Sequence, residues 1–274
     1  MAVTRDTSEL SATGTGSVFT RVLVGVDGTE PGFEACRQAG VLVGPEGSLE
    51  LVCAVETGSG FSASRVVAEM EREGADALTA AAEIVGRSAS KLLIRGAPTA
   101  TLLRELEQTS ASLVAVGSHG HRRVTEMMLG GVAGELLQQA PCSVLIARKP
   151  AVEALFPRSL LVGIDGSAEA ERALAIALSL EARFAIPLRI VTAVREKSGT
   201  SRRRRLRAVC IEEIDERLVD ALQKASADVD LLIVGSCGLH GARALGSISE
   251  RIARCAACSV LVVRDPDGRR CSRP

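Results

Sequence analysis

An α/β protein of two tandem doubly wound parallel-sheet domains is the fold class predicted, and three observations carry it. The chain repeats itself: Arg21-Val-Leu-Val-Gly-Val-Asp-Gly-Thr29 returns as Ser159-Leu-Leu-Val-Gly-Ile-Asp-Gly-Ser167, Ser112-Leu-Val-Ala-Val-Gly-Ser-His-Gly120 as Asp230-Leu-Leu-Ile-Val-Gly-Ser-Cys-Gly238, and Ala140-Pro-Cys-Ser-Val-Leu-Ile-Ala-Arg148 as Ala256-Ala-Cys-Ser-Val-Leu-Val-Val-Arg264. The repeated segments are short, continuous apolar runs, the pattern of strands buried on both faces of a parallel sheet. Stretches with helical spacing separate them, and alternating strands and helices build open doubly wound sheets. The offset between copies falls from 138 to 118 to 116 residues, so the second copy is shorter by about 20 residues in its middle and by 2 near its end.

The elements follow in order. Residues 1–19 are rich in Ser, Thr and Gly, offer little apolar surface and are expected to form a flexible tail. Val22 to Val26 is the first strand, ending at Asp27-Gly28. A helix follows with Thr29 as N-cap and Pro31 in its first turn, where the missing N–H is no loss. Leu49 to Val55 is the second strand. A long helical stretch from about Ala63 to Ser88, a strand Lys91 to Arg95, and the loop Gly96-Ala-Pro98 lead into a helix carrying Leu102, Leu103 and Leu106. Leu113 to Val116, a helix Val132 to Gln139 and a strand Ser143 to Ala147 complete the first copy. In the second, Ser167 caps a helix running to Phe184, and Leu188 to Val194 is the next strand. From Arg195 to Arg205 the sequence predicts only a basic loop, then a possible strand Leu206 to Ile211 and a helix Glu213 to Ala225. Parallel strands need a long crossover, so this third strand is either lost or joined irregularly. Leu231 to Val234, a helix Ile248 to Arg254 and a strand Ser259 to Val263 close the chain. The expected layout is a tail over 1–19, one domain over 20–150, a shortened second domain over 151–266 and a tail over 267–274.

Composition narrows the function. The 274 residues, 46% hydrophobic, suffice for two cores of ordinary domain size. Charge balances overall at 33 against 33, but residues 1–150 hold 13 basic against 17 acidic and residues 151–274 hold 20 against 16. The excess is local, in Arg195, Lys197, Arg202 to Arg205 and Arg207; such a run reads as a solvated loop, and no nucleic-acid partner is expected. No apolar stretch approaches the roughly 18 residues that cross a bilayer, and residues 1–20 lack the apolar core of a signal peptide, so the expected location is the cytoplasm. Cys53, Cys142 and Cys258 fall in apolar runs that suit reduced, buried thiols, and Cys255-Ala-Ala-Cys258 has no second pair to complete a zinc site. With no Trp or Tyr and five Phe, a purine would be held by aliphatic side chains and backbone hydrogen bonds.

In doubly wound sheets ligands bind beyond the carboxyl ends of the strands. Val116-Gly-Ser-His-Gly120 leaves such a strand and Gly130-Gly131 opens the next helix, so backbone N–H groups of a tight loop and a helix N-terminus converge on one place, suited to an anion. Asp27, at the tip of the first strand beside Val26, is placed to accept hydrogen bonds from a base or ribose.

From about residue 21 to 264 the chain resembles the universal stress protein family, whose nucleotide-binding members carry G-x2-G-x9-G-[ST] between the fourth strand and the last helix. The first copy matches with Gly117, Gly120 and Gly130 at that spacing, while Gly131 stands in the Ser/Thr position. The resemblance implies adenine-nucleotide alpha hydrolase-like domains. It implies ATP, or AMP or cAMP, as ligand, with Mg2+ arriving only with the nucleotide. Asp27 and Val55 would hold the adenosine part; Gly117, His119 and Gly120 would line the ribose and phosphates; Gly130, Gly131 and Val132 would present amides to the phosphates. In the second copy Ser247 keeps the hydroxyl, but Gly238 and Gly246 enclose seven residues instead of nine; Asp165 and Val194 are the base-side counterparts and Gly235 that of Gly117. The implied function is a stress-response regulator that binds an adenine nucleotide, mainly in the first domain, with slow ATP hydrolysis at most and no catalytic residue assigned. Two other readings stand beside it: an interaction module with degenerate pockets whose glycines only make tight turns, and a nucleotidyl-transfer or hydrolysis enzyme, against which the lack of a catalytic base or metal cluster argues. The apolar last strands, Ser143 to Ala147 and Ser259 to Val263, are expected at sheet edges that need covering. Pairing them would give a pseudo-dimer within the chain or a homodimer.

Overall fold

The computed structural model describes residues 18–56, 64–119, 129–150, 155–193, 202–206, 209–214, 218–236 and 248–265. The first half runs β1 (Phe19–Gly25), α1 (Glu30–Leu42), β2 (Val43–Val55), α2 (Ser64–Val85), β3 (Ser90–Arg95), α3 (Pro98–Thr109), β4 (Leu113–Gly117), α4 (Gly131–Gln139) and β5 (Ser143–Ala147). The second runs β6 (Leu160–Ile164), α5 (Ala168–Phe184), β7 (Leu188–Ala193), β8 (Arg202–Leu206), β9 (Val209–Ile214), α6 (Leu218–Ala225), β10 (Leu231–Gly235), α7 (Ile248–Cys255) and β11 (Ser259–Val263). All eleven strands join one sheet in the order β3-β2-β1-β4-β5-β11-β10-β6-β7-β9-β8. Within each half the inner pairings are parallel, as the apolar strand runs require.

Helices cover both faces, and this arrangement divides the core by face. Leu23, Val114, Val144 and Ile146 pack with Leu102 and Leu106 of α3, Leu136 of α4, Leu222 of α6 and Ile252 of α7. Their strand neighbours Val22, Val24, Leu113 and Leu145 turn the other way and pack with Ala35 and Ala39 of α1, Leu78 of α2 and Ala173 and Leu180 of α5. The two cores anticipated from composition are therefore not one per domain. Each lies on one face of the sheet and crosses both halves.

The last strands meet at the centre. β5 pairs antiparallel with β11, with Val144 opposite Val262, Leu145 opposite Leu261 and Ile146 opposite Val260, all 0–1% exposed. Burying side chains of this size contributes about 1.5–3 kcal/mol each. Both ends of the seam are bracketed in the same way. The Arg148 N–H donates to Ser259 Oγ at 2.9 Å, which donates back to Arg148 O at 3.0 Å, and the Arg264 N–H donates to Ser143 Oγ at 3.2 Å. The two guanidiniums then cross over. Arg148 donates to Ala253 O at 2.5 Å, in the last turn of α7, and to Cys258 O at 3.2 Å, just before β11, and Arg264 donates to Leu137 O and Ala140 O, at the end of α4. Helix C-termini leave carbonyls without partners and carry partial negative charge, so each half's closing arginine caps the other half's closing helix.

Two expectations in the second half are corrected. The run Arg202 to Arg205 lies in strand β8, not in a loop, and the stretch read as one strand over Leu206 to Ile211 is divided between β8 and β9. Glu213 stands in β9 and the helix begins only at Leu218. β7 supplies a ladder along all six residues of β9, from Leu188 opposite Val209 to Ala193 opposite Ile214, and this pairing overrides the helical preference of Glu212-Glu213. The third strand is thus present and parallel to β7. It is reached by way of β8, which lies outside it and runs antiparallel to it; no helix stands between β7 and β9 among the described residues. Elsewhere the boundaries move little, except that β1 begins at Phe19, which is buried and not part of a tail, and β2 starts at Val43, where Arg87 donates to Gly44 O at 3.1 Å and Gly47 O at 2.9 Å and holds the early segment against the sheet. Residues 1–17 and 267–274 of the expected tails lie outside the described residues.

Because both cores cross the seam, urea unfolding is expected to show one transition for the whole chain by fluorescence-independent probes such as far-ultraviolet circular dichroism. Replacing Arg264, 6% exposed, with Met should lower stability by about 2–4 kcal/mol, since it strips the donors from two buried carbonyls. Arg148→Met should cost less, because that side chain is only half-buried.

Candidate functional site

The site is built on the turn after β1. Asp27 Oδ1 accepts from Thr29 N at 3.0 Å and Thr29 Oγ1 at 2.6 Å, and Thr29 Oγ1 accepts from Gly32 N at 3.3 Å, capping α1. Gly28, at φ +75°, makes the turn possible. The second half repeats this arrangement: Asp165 Oδ1 accepts from Ser167 N at 3.0 Å and Ser167 Oγ at 2.6 Å, Ser167 Oγ accepts from Ala170 N at 3.2 Å, and Gly166 has φ +82°. The Asp-Gly-[Thr/Ser] repeat is thus accounted for by one turn and one helix cap in each half.

In the first half this turn borders a cavity of about 410 Å³ at the carboxyl end of the sheet. Val26, Asp27, Val116, Gly117, His119, Gly130, Gly131 and Val132, all read from the sequence as site residues, line it. Val55 does not. Along β2, residues 52 and 54 face α3 while Val55 turns toward α2, where it lies near Gly74, and its carbonyl accepts from Gly96 N at 3.0 Å. Val52, Ala54, Pro98, Leu102 and Ala133 line the cavity instead. The alternation of a strand was the signal that could have singled out Val52 and Ala54. Gly120 lies outside the described residues.

Among the described lining residues the walls are mainly aliphatic, with no Phe, and the polar side chains are Asp27 and His119. α1 and α5 have side-chain caps, whereas α4 has Gly130 as N-cap and no side-chain cap bond. The N–H groups of its first turn have no partner within the helix and open beside the cavity, where the helix dipole favours negative charge. Gly130 N itself donates to Ser118 O at 2.8 Å, which ties the helix start to the end of β4. His119 Nδ1 lies 3.0 Å from Ser118 Oγ. Among the described lining residues there is no Lys or Arg, and the donors they bring to this end are the backbone N–H groups that start α4.

The two glycines differ in what they do. A Cβ on Gly117 would lie 2.6 Å from the backbone carbon of Pro31, and one on Gly235 would lie 2.3 Å from that of Glu169. Both glycines let a strand end pack against the first turn of a helix, so their lack of a side chain is explained by packing and not by a ligand. Around Gly131 no atom of the described residues lies within 4 Å of an added Cβ, and their packing leaves that position open to other residues. In the second half, Asp165 is exposed and occupied with its turn. Val194, Gly238, Gly246 and Ser247 lie outside the described residues, as do His121 and His240.

Substitutions at the two positions should therefore separate. Gly117→Val is expected to cost several kcal/mol in urea unfolding, on the scale of about 1–3 kcal/mol for overpacking plus backbone displacement, whereas Gly131→Ser should leave stability within about 0.5 kcal/mol, as for ordinary surface changes.

Comparisons with known proteins agree with this architecture. The model of the Universal stress protein family matches residues 19–148 and 207–264. A universal stress protein of Mycobacterium tuberculosis is 27% identical over 292 residues, covering 83% of this chain and 98% of that protein. One of Bacillus subtilis is 30% identical over 149 residues, covering 48% of this chain and all of that protein. The crystal structure of a universal stress protein from Archaeoglobus fulgidus superposes over 90% of this chain and 97% of its own with a TM-score of 0.71 at 20% identity, a likeness of fold. With residues 19–148 and 207–264 matched, more than half of its length, the chain belongs to the Universal stress protein family.

Proposed function

We propose that the chain is a stress-response regulator that binds an adenine nucleotide in the first-half cavity and acts through that binding. The observation that carries the proposal is the convergence of an uncapped helix N-terminus, Gly130 to Val132, with an aliphatic cleft closed by Asp27. The cleft is apolar on both sides of the space a purine would take, from Val26, Val52 and Ala54 to Leu102 and Val132. Asp27 stands at its rim to accept from a ribose or an exocyclic amine. The phosphates would lie on the amides of α4. Because β5 and β11 already pair within the chain, those strands offer no free edge to a second copy, and a homodimer would use another surface. ATP is the first candidate, its Mg2+ carried on the phosphates, with AMP and cAMP as smaller alternatives. The family membership and the absence from the described residues of any helix long and apolar enough to cross a membrane fit this reading.

A second reading, an interaction module without a nucleotide, is favoured by one observation. Gly117, a member of the glycine motif, owes its lack of side chain to Pro31. The experiment is a thermal shift with ATP and Mg2+, together with a search for nucleotide released on denaturation. A specific site should add about 2.7 kcal/mol of stability at 100 times the dissociation constant, and no released nucleotide with no shift at millimolar ATP would leave the interaction module standing. Gly130→Leu should abolish the shift. Gly131→Ser supplies the missing hydroxyl, and one further hydrogen bond should tighten binding up to about tenfold.

A further inference from the structure

At the other end of the first half, where β1, β2 and β3 begin, lies a second cavity of about 340 Å³ that the nucleotide reading does not use. Arg21, Ser48, Glu50, Ser90, Gln108 and Thr109 supply its polar lining. The strand register puts them there. Arg21 stands opposite Ser48, Leu23 opposite Glu50, and Glu50 opposite Ser90. In-register neighbours share a face, and so do residues two apart on one strand, so all four polar residues occupy the face on which Leu23 packs with Leu106 of α3. Arg21, Ser48, Ser90 and Gln108 are exposed to solvent and Glu50 is half-buried, so the burial cost of an unpaired polar group falls on Glu50. Glu50 Oε2 is buried and has no hydrogen-bond partner among the described residues, and no ion pair joins Glu50 to Arg21. Above it, the last turn of α3 contributes Gln108 and Thr109, the end of a helix that presents carbonyls and partial negative charge. A buried carboxylate oxygen beside a helix C-terminus calls for a cationic N–H donor. Arg21, exposed at the mouth, calls for an anion.

The fold itself does not require this acid. In the second half the residue opposite Leu161, in the place of Glu50, is Arg189, and Cys210 stands where Ser90 does. We propose that the cavity binds a free α-amino acid, its ammonium on Glu50 and the end of α3, its carboxylate toward Arg21, and its side chain over Leu23 and Ala111. An open cavity of about 340 Å³ has room for a molecule of that size.

The test uses the full chain without nucleotide, by thermal shift and calorimetric titration, against glycine, L-serine, L-glutamate and L-lysine, with propylamine and propionate as single-charge analogues. At least one amino acid should bind with a dissociation constant near or below about 1 mM, and both analogues should bind at least about tenfold more weakly, the loss expected from one charge-assisted hydrogen bond. Glu50→Gln and Arg21→Gln should each weaken binding about tenfold or more, on the same ground. Ala111→Met, which keeps both charges and fills the cavity, should abolish binding while the circular dichroism spectrum stays unchanged. Three results would overturn the proposal: no amino acid binding at about 10 mM, as when a water completes Oε2; propylamine binding as tightly as the best amino acid; or undiminished binding in folded Glu50→Gln or Ala111→Met.

Discussion

The antiparallel pairing of β5 with β11 is the constraint on which the rest of the molecule depends. Every other inner strand pair in the described sheet is parallel and belongs to one half; this pair alone joins them. Antiparallel register makes the two halves face each other by a local twofold relation, so equivalent residues perform equivalent tasks on the opposite side. Ser143 and Ser259 bracket the seam, and Arg264 and Arg148 reach past it to the carbonyls that end α4 and α7. Desolvation pulls both guanidiniums below the ordinary arginine pKa, a sign of how far they are withdrawn from water. Their compensation is carbonyl oxygen at helix ends, where a cation is favoured, and the groups they satisfy belong to the half they did not come from. Neither half is complete at this point without the other.

This arrangement also determines where the sheet stays open. With the last strands paired, the outer edges are β3 and β8. Lys91 and Arg95 are exposed along β3, and four consecutive arginines, Arg202 to Arg205, stand in β8. Charge along an edge strand opposes pairing with another chain, and positive charge on both edges opposes joining one edge to the other between copies. The basic run that looked like a solvated loop in the sequence is placed where a sheet most needs such residues.

Much of the fold was legible because the strands buried on both faces have to be apolar at every position. Val22 to Val26, Leu113 to Val116 and Leu231 to Val234 announce themselves in this way, and Thr29 and Ser167 mark the helix starts by their hydroxyls. Of β8 and β9 only the apolar stretch Leu206 to Ile211 was legible as strand, since arginines and paired glutamates carry no strand signal; the ladder from β7 extends β9 through Glu212-Glu213, and β9 in turn pairs with β8. The crossed arginines were visible only as the last letters of two repeated phrases, because their partners, Ala253 and Leu137, lie over 100 residues away. At the candidate site, motif spacing pointed to the α4 end of the cavity and the family resemblance named Val55, whereas Val52 and Ala54 line the wall. A spacing motif describes a loop, whereas the wall opposite is decided by which face of β2 looks at α3.

The difference between the halves now has a structural form. Both possess the Asp-Gly-[Thr/Ser] turn, the capped helix and a glycine that lets the fourth strand meet that helix. What the second half lacks is the long crossover. In the first, α2 carries the chain across one face, β3 takes the edge, and α3 returns over the other face to set Pro98 and Leu102 along the cleft. In the second, β8 and β9 complete the sheet without a crossover helix among the described residues, and Leu222 of α6 comes within 2.6 Å of where a Cβ on Gly163 would stand. The equivalent glycine in the first half, Gly25, has Val116 and Leu102 at 3.0 and 3.1 Å, and both of these line the cavity. The repeated motifs are therefore the parts both halves need in order to fold. The cavity is lined largely by repeated segments, Gly25 to Asp27, Val116 to His119 and the start of α4, completed by Val52, Ala54, Pro98 and Leu102; α2 and β3 contribute none of its lining residues, so the repeat supplies most of the wall as well as the turn.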